Sequence, residues 1–340
     1  MQKCLFLAQQ AEGYAAPNPM VGCVIVHKGA IVSEGYHKHF GAPHAEVDAI
    51  EKIKDKTILK ECELYVNLEP CAHHGKTPPC ADLILKYEIP KVFVGNLDIN
   101  PIVSGKGIQL LRSNGVKVET DILSDECRFL NRRFFTFHKY KRPYIVLKWT
   151  QSQDGFIWSE KQSKISCHET DIKVHQWRSE EAAILVGHNT VLKDNPNLNV
   201  RHVKGKNPIR ISFDKHKEFN SSLNILNDDA KTIIFSEEIH TSGMTKYVPL
   251  AVSSLLKQLT YLHQENILSI LVEGGANTIS KFLSLDIWDE VRIITSNHKF
   301  GEGIKAPYFK GISSLDEISN SDTIQYFYNI KNDFLSIKHT

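Results

Sequence analysis

The chain has 340 residues, enough for two domains of ordinary size. Hydrophobic residues make up 41% and charged residues 24%, as is typical of globular proteins rather than membrane or disordered ones. A net charge of +2 gives no electrostatic reason to bind nucleic acid or a membrane surface, and seven cysteines without a small-domain spacing favour reduced thiols in the cytoplasm.

Residues 2–12 have apolar residues at helical spacing and predict an amphipathic helix. Pro17 and Pro19 end it, because proline cannot continue a helix. This first segment is too short and too polar for a signal peptide or a membrane span. The PNPMVG sequence that follows is read either as a turn or as a segment that places Asn18 at the floor of a pocket.

Strands and helices then alternate through the first part of the chain. Lys28-Gly29 predicts a tight turn between strands at 21–26 and 31–35. Further helices are predicted at 44–53, from Pro78, around 104–112 and from about 124, with strands at 64–68, 91–94 and 116–119. This alternation predicts a three-layer α/β domain with a mostly parallel sheet.

Two short segments in this part, PHAE and EPCAHHGKTPPC, contain the ligand types of a zinc site. His44, Cys71 and Cys80 supply one imidazole and two thiols. Because a catalytic zinc keeps one of its four tetrahedral positions for water, three protein ligands predict a catalytic site. A closed structural site, with His73 or His74 as fourth ligand, is the alternative.

Glu46 is predicted to act beside the metal. It follows His44 by two residues at the start of the same helix, where a carboxylate can relay protons for a water that zinc activates. His-x-Glu followed by Pro-Cys and Cys is the pattern of zinc deaminases that act on nucleobases. Cys80 also begins a helix, whose partial positive charge favours its thiolate.

Eight residues separate Cys71 from Cys80, whereas simple nucleobase deaminases have two. The additional loop carries His73 and Lys76. It is read either as surface or as a contact for a substrate that bears a phosphate, which an imidazole and a cation would suit.

Residues 128–143 mix basic and aromatic side chains. Such a run can bind single-stranded nucleic acid, but the balanced total charge favours a packed helix leading into a linker.

From Pro143 the alternation of strands and helices resumes. Strands are predicted at 144–149, 183–187, 208–213, 232–235, 268–273, 291–295, 323–330 and 334–338, and helices at 168–178, 190–197 and 276–283. Gly274-Gly275 joins a strand to a helix, where backbone amides can approach a phosphate, although the full GxGxxG pattern is absent.

NPMVGCVIV, PHAEVDAI and EPCAHHGKTPPC closely resemble the bifunctional riboflavin-biosynthesis family, in which a pyrimidine deaminase is joined to a reductase. The resemblance extends over nearly the whole chain. It implies an α/β protein with a cytidine-deaminase-like three-layer α/β/α domain at 1–142 and a dihydrofolate-reductase-like α/β domain at 143–340. In the first domain it implies Zn2+ on His44, Cys71 and Cys80, Glu46 as proton shuttle, and substrate contacts from Asn18, His73 and Lys76.

In the second domain the resemblance implies NADPH as cofactor and Asp154 near the reacting centre. The implied substrate contacts are Gln162, Arg178, Leu198, Arg201 and Glu273. The implied cofactor contacts are Thr150, Lys164, Thr190, Asp194, Lys215, Gly275, Ala276, Asn277, Thr278, Ile279 and Ser280. Three segments depart from the family pattern: Asp98-Ile99-Asn100-Pro101, Lys164-Ile165-Ser166 and Asp194-Asn195-Pro196.

The implied reactions are deamination of 2,5-diamino-6-ribosylamino-4(3H)-pyrimidinone 5′-phosphate and reduction of its ribosyl group to ribityl. We expect a phosphorylated pyrimidine as partner, no nucleic acid, no membrane, a cytoplasmic location and a homo-oligomer. Three alternatives stay open at this point. They are a deaminase with a degenerate reductase domain, a deaminase of tRNA or free nucleobases, and an RNA-binding module with a structural zinc.

Overall fold

A computed structural model gives the structure of the chain. It describes residues 1–72, 78–99, 104–160, 165–237, 239–249, 254–311 and 313–334. Contacts divide the chain into two compact units, residues 1–140 with Asp333 and Phe334, and residues 141–332. We expected these last two residues in the second domain, but Phe334 stacks on Phe135 of the first unit, with ring centroids 5.3 Å apart. The strand predicted at 334–338 lies outside the described residues beyond Phe334.

The first unit contains the predicted alternation of helices and strands. Its helices are α1 (Gln2–Gln9), α2 (Ala45–Lys52), α3 (Cys80–Lys86), α4 (Lys106–Ser113), α5 (Ser124–Leu130) and α6 (Arg132–Tyr140). Its strands are β1 (Gly22–His27), β2 (Ala30–Tyr36), β3 (Cys62–Leu68), β4 (Lys91–Asn96) and β5 (Lys117–Glu119).

The sheet of this unit has the order β2-β1-β3-β4-β5. We predicted a mostly parallel sheet, but β1 runs antiparallel to both β2 and β3, while β3, β4 and β5 are parallel. The reason is the turn at Lys28 and Gly29, whose φ angles of 50° and 82° suit a tight hairpin between β1 and β2.

Alternate residues of β1 face opposite helical layers. Cys23 and Ile25 pack with α2, α3 and α4, whereas Val24 packs with Cys4 of α1. A Cβ on Gly35 would lie 2.4 Å from the carbonyl oxygen of Ala45, so this glycine lets α2 approach the sheet closely. The three layers predicted from the sequence are present, and the start of α2 is held against β2.

The second unit is larger. Its helices are α7 (His168–Glu180), α8 (His188–Asp194), α9 (Leu255–Gln264) and α10 (Ala276–Ser284). Its strands are β6 (Tyr144–Gln151), β7 (Phe156–Trp158), β8 (Ala183–Leu185), β9 (Ile209–Asp214), β10 (Thr232–Ser236), β11 (His240–Ser242), β12 (Thr245–Pro249), β13 (Ser269–Val272), β14 (Glu290–Thr295), β15 (Ile304–Lys305), β16 (Leu315–Ser319) and β17 (Asp322–Tyr328).

The main sheet of this unit has the order β11-β12-β10-β9-β8-β13-β6-β14-β17-β16. Neighbours from β12 to β14 are parallel, and the remaining pairs are antiparallel. The carboxyl ends of β6, β8, β9 and β13 therefore lie at one edge, where ligands bind in open α/β sheets. We did not predict α9, although Leu255, Leu259 and Leu262 have helical spacing and are buried.

The basic and aromatic run at 128–143 forms the end of α5 and α6, in agreement with the packed-helix reading. Phe134, Phe135 and Phe137 are buried. Within the described ranges, no helix combines the length and the apolar character needed to cross a bilayer.

Asp289 ties the start of β6 to the chain that returns from β17. Its buried carboxylate accepts hydrogen bonds from Nη1 and Nη2 of Arg142 at 2.6 and 2.9 Å, the backbone of Ile145 at 2.8 Å and the amide of Asn332 at 2.7 Å. Asp289→Ala would leave these donors without their acceptor. We expect it to lower the free energy of unfolding of the second unit by about 3 kcal/mol.

Urea unfolding followed by tryptophan fluorescence measures this loss in the second unit alone. All four tryptophans lie there, namely Trp149, Trp158, Trp177 and Trp288. Asp316→Ala is the matched control, because Asp316 is exposed in the same unit and accepts at 3.4 Å from Gln325, so its loss should cost less than about 1 kcal/mol. Equal losses in the two variants would contradict the role given to Asp289.

Candidate active sites

Three elements bring the predicted metal ligands together. His44 caps the start of α2, Cys71 follows the end of β3, and Cys80 is the first residue of α3. Nδ1 of His44 lies 3.6 Å from Sγ of Cys71 and 3.3 Å from Sγ of Cys80, and all three ligand atoms lie within 4.8 Å of one another. Ligands at about 2.0–2.3 Å from a tetrahedral zinc are roughly 3.3–3.8 Å apart. The spacing therefore fits zinc.

The protons of this cluster are arranged as in a cation site. The hydrogen bond from Cys80, with help from His44, lowers the pKa of Cys71 to about 4. Bonding to this thiolate raises the pKa of His44 to about 9. The thiolate of Cys71 and burial together raise the pKa of Cys80. Because ligand sulfur and imidazole must lose their protons to bind a metal, zinc would replace the protons that this cluster otherwise shares.

The donor set also fits zinc chemically, since thiolate and imidazole are its usual ligands. In the described part of the chain this is the one group of three such ligands. His73 and His74, the alternative fourth ligands, lie outside the described residues, so an open fourth position for water stays a prediction. Four other predicted contacts lie outside the described residues: His73, Lys76, Gln162 and Lys164.

Glu46 lies beside the ligands, in the first turn of α2. It is 3% exposed. Burial, reinforced by the Cys71 thiolate, raises the pKa of Glu46 to about 6. A carboxyl group with a pKa near neutrality is suited to accept and return a proton.

Asn18 is held by a histidine that we did not predict. Nδ1 of His37 lies 3.0 Å from the carbonyl oxygen of Pro43, and Nε2 lies 3.0 Å from Nδ2 of Asn18. Because the carbonyl can only accept, Nδ1 carries the proton and Nε2 accepts from the Asn18 amide. Burial lowers the pKa of His37, which keeps the ring neutral. The amide of Asn18 is thereby fixed with its oxygen free of this bond. Its contact with a substrate stays a prediction.

The second unit contains a cavity of about 760 Å³ at the carboxyl ends of its parallel strands. Many predicted contacts line it: Thr150, Thr190, Asp194, Glu273, Gly275, Ala276, Asn277, Thr278 and Ile279. The volume is typical of a site for a small molecule or cofactor.

The turn before α10 forms one wall of this cavity. Gly275 caps the helix with a φ of 36°, a conformation that favours glycine. A Cβ on Gly187, at the start of α8, would lie 2.4 Å from Oγ1 of Thr278. Two helix starts thus meet closely at the cavity, and the positive end of α10 suits a phosphate of a dinucleotide. The residues therefore fit NADPH.

Glu273 carries a buried charge in the cavity wall. Its two oxygens accept from Nε and Nη2 of Arg178 at 2.8 and 2.9 Å, and Nζ of Lys148 lies 3.6 Å from Oε2. Burial opposes ionisation, but the two cations outweigh it and lower the pKa of Glu273 to about 2. Burial also lowers the pKa of Lys148, which Glu273 partly offsets. We did not predict Lys148, although a lysine within an apolar strand is a signal that was available.

Five other predicted contacts are not among the residues that line the cavity in the described structure, and one of them is Arg178, whose partner Glu273 does line it. Leu198 is buried in a hydrophobic cluster. Arg201 is exposed and donates to Oδ1 of Asn199 at 3.0 Å. Lys215 is exposed, and so is Ser280, because one step along a helix turns it away from the buried side of α10. Their binding roles stay predictions.

Asp154 also lies away from the cavity wall. Its carboxylate accepts from the hydroxyl of Ser152 at 2.6 Å and from the backbone of Phe300 and Gly301 at 3.1 and 2.7 Å. These bonds, that of Ser152 first, lower the pKa of Asp154 well below its usual range. The carboxylate connects two loops, and its place near the reacting centre stays a prediction.

Comparison with known families matches both parts of the chain. Residues 1–96 match the cytidine and deoxycytidylate deaminase zinc-binding region, and residues 143–325 match the RibD C-terminal domain. The chain is 39% identical over 328 residues to the riboflavin biosynthesis protein RibD of Aquifex aeolicus, which covers 93% of this chain and 91% of the relative. It is 37% identical over 337 residues to RibD of Actinobacillus pleuropneumoniae, with 93% and 88% covered.

Two solved structures are similar over almost their entire length. A diaminohydroxyphosphoribosylaminopyrimidine deaminase/5-amino-6-(5-phosphoribosylamino)uracil reductase from Thermotoga maritima has a TM-score of 0.89 and 36% identity, with 96% of this chain and 97% of that chain covered. Acinetobacter baumannii RibD has a TM-score of 0.87 and 28% identity, with the same coverage.

Cys80→Ser tests the metal site directly. Because a serine hydroxyl does not replace a thiolate on zinc, we expect the purified variant to lose most of its bound zinc on dialysis. Metal analysis measures this, and Cys127→Ser is the control, since burial raises the pKa of that thiol to about 12 and it lies outside the ligand set. Full zinc content in Cys80→Ser would contradict the assignment.

Proposed function

This chain belongs to the RibD family, and on that premise we propose which residues carry out its two reactions. It is a bifunctional enzyme of riboflavin biosynthesis, a zinc-dependent deaminase and an NADPH-dependent reductase. The observation that carries the residue assignment is the cluster of His44, Cys71 and Cys80 with the buried carboxyl of Glu46 beside it.

The proposed first substrate is 2,5-diamino-6-ribosylamino-4(3H)-pyrimidinone 5′-phosphate, in keeping with the activity named for the Thermotoga relative. Zinc on the three ligands would supply the Lewis acidity that makes water a nucleophile near neutral pH. Glu46 takes protons from the attacking water and returns one to the ring nitrogen and one to the leaving amino group. Water and the amino-substituted ring carbon thus become a carbonyl group and ammonia. The oriented amide of Asn18 contacts the substrate.

The second reaction is assigned to the cavity of the second unit. NADPH held in this cavity would supply the hydride that, together with a proton, reduces the opened ribosyl group at C1 to a ribityl chain. The turn at Gly274-Gly275 and the start of α10 would hold the cofactor phosphates. Lys148, Arg178 and Glu273 would bind the polar groups of the phosphorylated sugar through charge-assisted hydrogen bonds.

Two features support an active reductase over a degenerate one. Ile165 and Ser166 line the cavity although their segment departs from the family pattern. The buried ion pair of Arg178 with Glu273 is intact. A deaminase of tRNA or free nucleobases would have no use for this cavity.

We also propose that the enzyme works in the cytoplasm, since all seven cysteines are free thiols. The expected homo-oligomer stays a prediction.

Glu46→Gln separates proton transfer from metal binding. We expect ammonia release from the diaminopyrimidine substrate to fall by about 10²–10⁴-fold, because the amide cannot accept a proton, while zinc content stays at one per chain. NADPH consumption with the deaminated substrate should be unchanged. The control is Glu51→Gln, an exposed acid on the same helix. Ammonia release at the wild-type rate in Glu46→Gln would refute the assigned role.

Glu273→Gln tests the second site. It would leave Lys148 in the cavity wall and Arg178 behind Glu273 without their anionic partner, and a displacement of these cations by about 1 Å can reduce turnover about 100-fold. We expect NADPH oxidation to fall accordingly while ammonia release is retained. Glu265→Gln, in an exposed pair with Lys246, is the control. The assignment fails if Glu273→Gln oxidises NADPH as rapidly as this control.

A further inference from the structure

Glu69 places a carboxylate inside the first unit, two residues before the ligand Cys71. It is 4% exposed. Its oxygens accept four backbone N–H bonds, from Asp98 and Gly105 to Oε2 at 3.1 and 2.9 Å and from Gly107 and Ile108 to Oε1 at 2.9 and 3.3 Å. Four amide donors replace water around the carboxylate, and bonds to an ionised acceptor are the strong kind.

Three of these donors belong to the start of α4, where backbone N–H groups have no partner within the helix. Glu69 therefore caps α4 from a distant position in the chain. The helix also packs directly against residues 69–72, the ligand loop that contains Cys71, because a Cβ on Gly107 would lie 1.9 Å from the carbonyl oxygen of Pro70. Glu69, which caps α4, and Cys71, which carries the ligand sulfur, thus belong to one short segment that is packed against the start of α4.

The other side of Cys71 is held by α3. Its carbonyl oxygen accepts from the backbone of Ala81 at 3.1 Å, and its Sγ accepts from the backbone of Cys80 at 3.4 Å. Cys71 is consequently fixed between two helix starts. On one side the contact is made by its own backbone and sulfur, whereas on the other it depends on Glu69.

We propose that Glu69 is a positioning residue of the metal site, which holds Cys71 where its sulfur binds zinc. The proposal rests on the zinc site of the proposed function. A capping residue located elsewhere would stabilise α4 alone. Because Glu69 is itself part of the ligand loop, any movement of its carboxylate relative to α4 moves the backbone that carries Cys71. Groups that orient metal ligands typically change metal affinity by about 10- to 100-fold when they are substituted.

The test compares Glu69→Gln with Leu111→Ala. The glutamine keeps the shape of the side chain but places an NH2 group against backbone N–H donors, so residue 69 must move relative to the start of α4. Leu111 is fully buried on the same helix, and its truncation lowers stability while the contacts of Glu69 remain. Zinc release to a chelator and the thiolate-to-metal absorption of the cobalt-substituted protein are measured on full-length chains, together with the melting temperature.

We expect Glu69→Gln to release zinc about tenfold faster or more, with an altered cobalt spectrum, and Leu111→Ala to release it at the wild-type rate despite a lower melting temperature. If Glu69→Gln also melts lower but keeps the wild-type release rate and spectrum, Glu69 is only a helix cap and the proposal is wrong. If Glu69→Gln does not fold, Glu69→Asp replaces it in the test. Aspartate keeps the charge, but its shorter side chain still shifts residue 69 relative to the start of α4. Zinc retention is read without substrate, so a wild-type chain that holds zinc but releases no ammonia would refute the proposed function and leave this inference standing.

Discussion

Two sulfur atoms and an imidazole within 4.8 Å of one another must share either protons or a cation, and much of the first unit serves to hold them in that position. His44 and Cys80 each lie at a helix start, where the helix dipole favours negative charge on nearby ligands. Cys71 comes from the loop that follows β3 and leads to α3. The hairpin and the close approach at Gly35 then fix α2 against the sheet. The fold thus brings the three ligand atoms to one place.

The two sites use buried charge in opposite ways. In the first unit, burial and the Cys71 thiolate raise the pKa of Glu46, which makes this group able to exchange a proton near neutrality. In the second unit, Arg178 and Lys148 lower the pKa of Glu273, which keeps this group charged and its partners oriented. The pKa of the buried glutamate is therefore raised in the proposed hydrolytic site, where protons move. It is lowered in the proposed reductase site, where a polar substrate is held beside a cofactor.

Short-range chemistry made the metal site predictable. His44, Glu46, Cys71 and Cys80 carry side chains with few other uses in that order, so their pattern indicated both the metal and the reaction. His37 could not be predicted in the same way, because its role depends on the fold, which brings it between Pro43 and Asn18.

The second unit was harder to predict, because its site is built from several strands that are distant in the chain. The Gly275 turn was found because glycine between a strand and a helix has a local meaning. Lys148 was missed because a lysine in an apolar strand is easily read as a chance surface position. Leu198, Arg201 and Asp154 rested on family resemblance alone, and the structure places each of them away from the cavity wall.

The return of Phe334 to the first unit limits how the gene can be divided. Its ring fills a place against Phe135 and Tyr140, so an isolated deaminase half that ends near residue 140 would leave that aromatic surface exposed to water. Such a fragment would be expected to associate through the exposed surface of Phe135 and Tyr140 unless the segment that contains Phe334 were attached to it again. Any free-standing relative of this half must therefore cover the same surface with other side chains, or replace its apolar residues with polar ones.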